Sequence, residues 1–173
     1  MKLHVTLTQE QLEEAVIAGA QRRLSAIATK RHTYTETNPL QWEANILSTI
    51  AEMAVCVAYG FTFSGFIPGG KGDRRIRDAQ DAGPYEVRTV MKRGNPLRAK
   101  PKDLDHQVLI YTRVLDRDVM LDGWLTAGQV RRHGFKAGPT DWGIEPAYLE
   151  SMADLNHQPI TSASVRWVIG RAA

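Results

Sequence analysis

The segment DAGPYEVR, residues 81–88, places two carboxylates and a cation within one short stretch. Asp81 precedes an Ala-Gly-Pro turn, and Glu86 and Arg88 follow in a run with β character. Residues two apart on a strand share a face, so Glu86 and Arg88 are predicted to project together, with Tyr85 and Val87 on the other side. The turn should bring the Asp81 carboxylate to that of Glu86. Paired carboxylates offer hard oxygen ligands suited to Mg²⁺ or Mn²⁺. A metal held there lowers the pKa of bound water and neutralises charge on a scissile phosphate. The plainer alternative is an exposed hairpin with an ordinary Glu–Arg pair.

Glu52 is the third acid of interest. It lies in IAEMAVCVAYG, the most apolar stretch of the chain. On a helical wheel it shares a narrow stripe with Asn45 and Ser48, while Ile46, Ile50, Met53, Ala54 and Val57 take the core side. A carboxylate in such a setting needs a partner, because burying unpaired charge is costly. A metal, or a basic strand residue such as Arg88, would supply one; a salt bridge to another arginine is the structural alternative.

Charge distribution points to a polyanion. Net charge is only +3, but residues 71–102 hold ten Lys or Arg against four Asp or Glu. A basic block in a mildly acidic body is the footprint of a phosphate-backbone partner. Lys71, Lys92, Arg93, Arg98, Lys100 and Lys102 are the residues predicted to meet it, with KRGNPLRAKPK as an exposed loop and strand edge.

Other chemistries fit less well. Gly65 to Lys71 matches the start of a P-loop, but Gly72 stands where Ser or Thr must bind Mg²⁺. The five histidines have no ligand spacing, and the single cysteine, Cys56, reads as a core thiol. One cysteine also excludes an internal disulfide and suits a cytoplasmic setting. No apolar run approaches a membrane span, and no secretory signal is read at the start.

These residues need elements to position them. At 173 residues, one domain is expected. The spacing predicts helices over 8–59, a motif-bearing sheet over 60–129 and a mixed tail over 130–173. Leu3, Val5 and Leu7 suggest a short edge strand. Thr8 and Gln11 form a capping-box pattern opening a helix with Leu12, Val16, Ala20, Leu24 and Ile27 on one face, ending near Lys30. Residues 32–38 read as a loop. A second helix runs from Pro39 to about Tyr59, with Gly60 as its cap. Strands are expected at 74–79, 85–91, 108–114 and 119–125, the last two as a hairpin across Asp116–Asp118. A short helix at 126–133, an irregular loop at 133–146, a helical turn at 148–155 and a last strand at 165–169 complete the reading. The fold class is α/β, a mixed central sheet flanked by helices.

An acid on a helix, then Asp, then Glu-x-Lys on a strand is the pattern of the PD-(D/E)XK nuclease superfamily, and this chain resembles it over roughly residues 45–129. In small phage-type members a basic loop follows the motif strand, then a hairpin ending in Gly-Trp; here RTVMKRGNPLRAKPKDLDHQVLIYTRVLDRDVMLDGWL occupies that place. The resemblance implies a restriction-endonuclease-like core and a metal-dependent endonuclease acting on DNA, with RNA as the alternative substrate. It implies Glu52, Asp81 and Glu86 as ligands of Mg²⁺ or Mn²⁺. Asp78 competes with Asp81, which is preferred because it stands directly before the turn into Glu86. Arg88 falls where the family has lysine. It keeps the charge but cannot give up a proton. A catalytically inactive module of the same fold, binding nucleic acid or a protein, is therefore the alternative function. A homodimer is compatible with either.

Overall fold

A computed structural model describes residues 1–29, 39–65, 81–92, 94–160 and 162–168. The predicted loop at 32–38 and the strand at 74–79 lie outside these residues, as do Lys71, Asp78 and Arg93.

Strand β1 (Lys2–Thr6) leads into helix α1 (Gln9–Ala28). The predicted capping box forms: Thr8 Oγ1 accepts the Gln11 N–H at 3.2 Å, and Gln11 Oε1 accepts the Thr8 N–H at 2.9 Å. The buried face of α1 differs from expectation. Leu24 is 55% exposed, whereas Ala15, Ala18, Gly19, Arg23 and Ala26 are buried. The reason is the close crossing with helix α2 (Pro39–Tyr59). A Cβ at Gly19 would stand 2.7 Å from Ile46 Cα and 2.6 Å from Thr49 Oγ1, so only small residues allow this approach. α2 is buried on every side from Thr49 to Cys56, and Gly60 ends it at φ +71°, a conformation that favours glycine.

The main sheet has five strands in the order β2-β4-β5-β1-β8: β2 (Tyr85–Thr89), β4 (Val108–Leu115), β5 (Asp118–Thr126), β1 and β8 (Val165–Val168). β2 and β4 are parallel and the remaining pairs antiparallel, so the sheet is mixed. β1 is not an edge strand as expected; β5 and β8 flank it. The β4–β5 hairpin turns through Asp116, at φ 62°, and Arg117.

The expected irregular loop at 133–146 also needs correction. It contains β6 (Phe135–Lys136) and β7 (Trp142–Ile144), which join β3 (Leu97–Ala99) in a second, three-stranded sheet ordered β3-β7-β6. Helix α3 (Ala127–His133) opens with a second capping box, Thr126 with Gln129. The predicted helical turn at 148–155 is two 3₁₀ turns, Pro146–Tyr148 and Met152–Asp154.

The main sheet separates two cores. Ile110 of β4, with Tyr85 and Val87 of β2, packs with residues of α1 and α2. Leu109 and Tyr111 pack instead with Leu97, Ala99, Val130 and Ile144, under the small sheet and α3. The architecture is thus mixed α/β, with a mixed central sheet flanked by helices. Among the described residues no helix is long and apolar enough to cross a membrane.

Candidate functional site

β2 ends the described main sheet, and its pleat divides its side chains. Tyr85 and Val87 enter the core beneath the helices. Glu86 and Arg88 point to the opposite face, in register with Leu109 and Tyr111. The same-face expectation from strand period therefore holds. The preceding turn folds back along the outer edge of β2. Ala82 and Tyr85 exchange backbone hydrogen bonds, and Asp81 Oδ2 accepts the Val87 N–H at 2.9 Å.

A cleft of about 520 Å³ opens at this edge. Glu52, Asn45 and Ser48 reach it from α2, and Arg22 from α1. Asp81, Glu86 and Arg88 line its floor, and Asn95, Pro96, Arg98, Lys100 and Lys102 close the far side. The four predicted catalytic residues thus share one cavity, and the stripe read from the α2 wheel faces it.

The partner of Glu52 is the structural alternative, a salt bridge to another arginine. Glu52 is paired with Arg22, not with Arg88: both guanidinium nitrogens donate to its two oxygens at 2.6 Å. The close approach of α1 and α2 at Gly19 brings the long Arg22 side chain within reach of Glu52. The Arg88 guanidinium lies against Asp81 and Glu86, with Nη1 donating to Glu86 Oε2 at 2.9 Å and standing 3.9 Å from Asp81 Oδ2. Glu86 Oε1 accepts from Gln107 Nε2 at 2.9 Å. Nη2 of Arg88 donates to Asp103 at 2.8 and 2.9 Å. Arg22, Asp103 and Gln107 carry no motif in the sequence.

The acids crowd one another. Burial pushes Glu52 up to about 7; the hydrogen bonds from Arg22 oppose this, and Asp81 and Glu86 add to it. Glu86 is also raised, by burial and then by Asp81, against the pull of Arg88 and Lys102. Burial works against the charge of Arg88, but Asp103 and Glu86 more than offset it and hold the guanidinium above its ordinary value.

Among the described residues no group of three or more His, Cys, Asp or Glu side chains is arranged to hold a metal ion. The donor chemistry nevertheless suits a hard divalent cation. Every acidic donor is a carboxylate, the carboxylates repel one another, and Asp81 Oδ1 makes no hydrogen bond among the described residues. Glu52 is engaged by Arg22 and Glu86 by Arg88 and Gln107, which leaves Asp81 with the open oxygen beside them.

The basic block has the predicted character where it is described. β3 is an edge strand, Leu97 and Ala99 are buried, and Lys92, Arg98, Lys100 and Lys102 are exposed. Arg98, Lys100 and Lys102 line the cleft; Lys92 lies outside its lining. Tyr111 Oη supports the turn by donating to the Asn95 carbonyl at 2.7 Å. Comparison with family models, curated proteins and solved structures finds no match to this chain.

Proposed function

We propose that the protein is a metal-dependent nuclease of the PD-(D/E)XK type that hydrolyses DNA phosphodiester bonds. One observation carries the reading. Asp81 and Glu86 stand against the same Arg88 nitrogen, in a cleft that also holds Glu52 and is rimmed by Arg98, Lys100 and Lys102. Acids at the floor and cations at the rim are the arrangement a phosphodiester needs: the rim binds the backbone, and the floor gathers charge at the scissile group.

Asp81 and Glu86 would hold Mg²⁺ or Mn²⁺, with Glu52 joining once Arg22 turns away. Bound there, the ion supplies a nucleophilic water and neutralises phosphate charge. Arg88 donates through Nη1 to a non-bridging phosphate oxygen and stabilises charge as it develops. It takes no proton from water, because a guanidinium stays protonated. Lys100, Lys102 and Arg98 orient the flanking phosphates without reading sequence. A cytoplasmic setting agrees with the single buried thiol, Cys56.

A second reading rests on a specific observation. Arg22 and Arg88 already neutralise Glu52 and Glu86, as they would in an inactive module that binds nucleic acid or a protein through the rim. Conversion of supercoiled plasmid with Mg²⁺ or Mn²⁺ separates the two. Nicking or linearisation by the wild type, lost in Glu86→Gln, supports the enzyme. DNA retention with no cleavage in either metal supports the module.

A further inference from the structure

Asp103 is the most enclosed acid beside the cleft, with a side chain 1% exposed. A carboxylate so buried is costly unless its charge and lone pairs are met. Both needs are met here. Arg88 Nη2 donates to both oxygens, and the Lys100 N–H donates to Oδ2 at 2.7 Å. Arg88 is thereby held from behind, and only Nη1 is directed at Glu86 and Asp81. Nε of Arg88 is buried without a hydrogen-bond partner, so it does not set the orientation of the guanidinium.

The turn bearing Asp103 is itself anchored. Arg131 of α3 donates to the Lys100 carbonyl at 2.9 Å and to the Asp103 carbonyl, and pairs with Asp105. The N–H groups of Ala127 and Gly128 donate to the carbonyls of Gln107 and Asp105, both at 2.9 Å. Gln107 in turn holds Glu86. One connection, residues 100–107, therefore grips both charged side chains of β2 and is fastened to α3.

We propose that Asp103 is a positioning residue: it holds Nη2 of Arg88 back so that Nη1 alone serves the site. The catalytic consequence rests on the nuclease reading; the clamp on Arg88 does not. ¹⁵N NMR of the arginine side chains, with Arg88 assigned by its loss in Arg88→Lys, tests the clamp without metal or DNA. Restricted Cζ–Nη rotation is expected for Arg88 in the wild type and free rotation in Asp103→Asn. Equal restriction in both proteins overturns the proposal.

Cleavage kinetics then test the role. Asp103→Asn should lower kcat by about tenfold or more, since a misplaced group stabilises the transition state less. KM for DNA should stay within about twofold, because the rim is intact. Released Arg88 with unchanged kcat overturns the positioning role. Released Arg88 in a protein whose wild type never cleaves keeps the clamp and ends the nuclease reading. If Asp103→Asn fails to fold, Asp103→Glu and Arg131→Lys carry the same measurements. Each should loosen Arg88 and lower kcat in the same direction; tight Arg88 resonances and wild-type kcat in both overturn the proposal.

Discussion

Two carboxylate–cation clusters sit on this sheet, and their electrostatics run in opposite directions. At one, a bulge between Tyr111 and Thr112 leaves Asp122 as the extra residue of β5 and turns it toward two cations. Lys2 stands 2.7 Å away and Arg113 pairs through two nitrogens. Burial raises the Asp122 pKa, but hydrogen bonds from Arg113 and Lys2 outweigh it, and the acid stays below its ordinary value. At the cleft, Glu52, Asp81, Glu86 and Asp103 face Arg22 and Arg88. There Glu52 and Glu86 are raised. The same residue types give a satisfied ion pair where two cations offset the cost of burial, and raised carboxyls where burial, helped by neighbouring acids, outweighs the cations. Raised carboxylates in a cleft are what the proposed nuclease site would draw on.

Substitution should separate the clusters most sharply. Glu86→Gln is expected to lower metal-dependent plasmid cleavage by about a hundredfold or more, the scale of several kcal/mol of lost metal-assisted stabilisation. Without metal its melting temperature should not fall, because the fold disfavours the ionised glutamate it removes. Asp122→Ala should do the reverse. Cleavage should persist, while denaturant titration shows a loss of about 2 kcal/mol as Arg113 and Lys2 lose their partner. If Asp122→Ala abolishes cleavage and Glu86→Gln mainly unfolds the protein, the contrast collapses.

The clusters should also differ in pH dependence. Glu52 has a raised folded pKa, so its contribution is complete below the unfolded value and is lost as pH rises toward about 7. Metal-free wild type should therefore melt at lower temperature at pH 8 than at pH 6. Glu52→Gln should flatten that slope. Asp122, with a lowered pKa, contributes above its unfolded value and loses the contribution only as pH falls through its folded one. Asp122→Asn should accordingly leave the slope between pH 6 and pH 8 unchanged, as scanning calorimetry would show.

Smaller effects sharpen the picture at single residues. Arg88→Lys must give up the span from Asp103 to Glu86, costing about 1 kcal/mol in chemical denaturation. In a working nuclease, the lysine should keep or raise cleavage despite that loss. Replacing Lys100 and Lys102 with alanine should weaken DNA binding evenly across sequences. It should also flatten the slope of log affinity against log salt by about 0.9 for each phosphate left without its cation. An unchanged slope would assign this rim to a protein partner.

What the chain determines locally was readable from it. The Thr8 capping box, the Gly60 cap and the shared face of Glu86 and Arg88 all follow from neighbours three or fewer residues apart. The α2 stripe of Asn45, Ser48 and Glu52 follows from helical period. These signals survive because backbone geometry repeats within one element. Tertiary structure alone decided which charges meet. Arg22 reaches Glu52 because Gly19 lets two helix backbones close together, and Asp103 reaches Arg88 because a turn pinned to α3 brings it there. β3, β6 and β7 are two or three residues long, too short to display a period, and they exist because they pair with one another. β1 reads as an edge because its sequence says nothing of β8, more than a hundred residues away, which occupies its second side. Partner choice over such separations depends on packing and on which buried charges remain unmet, and no local pattern encodes it.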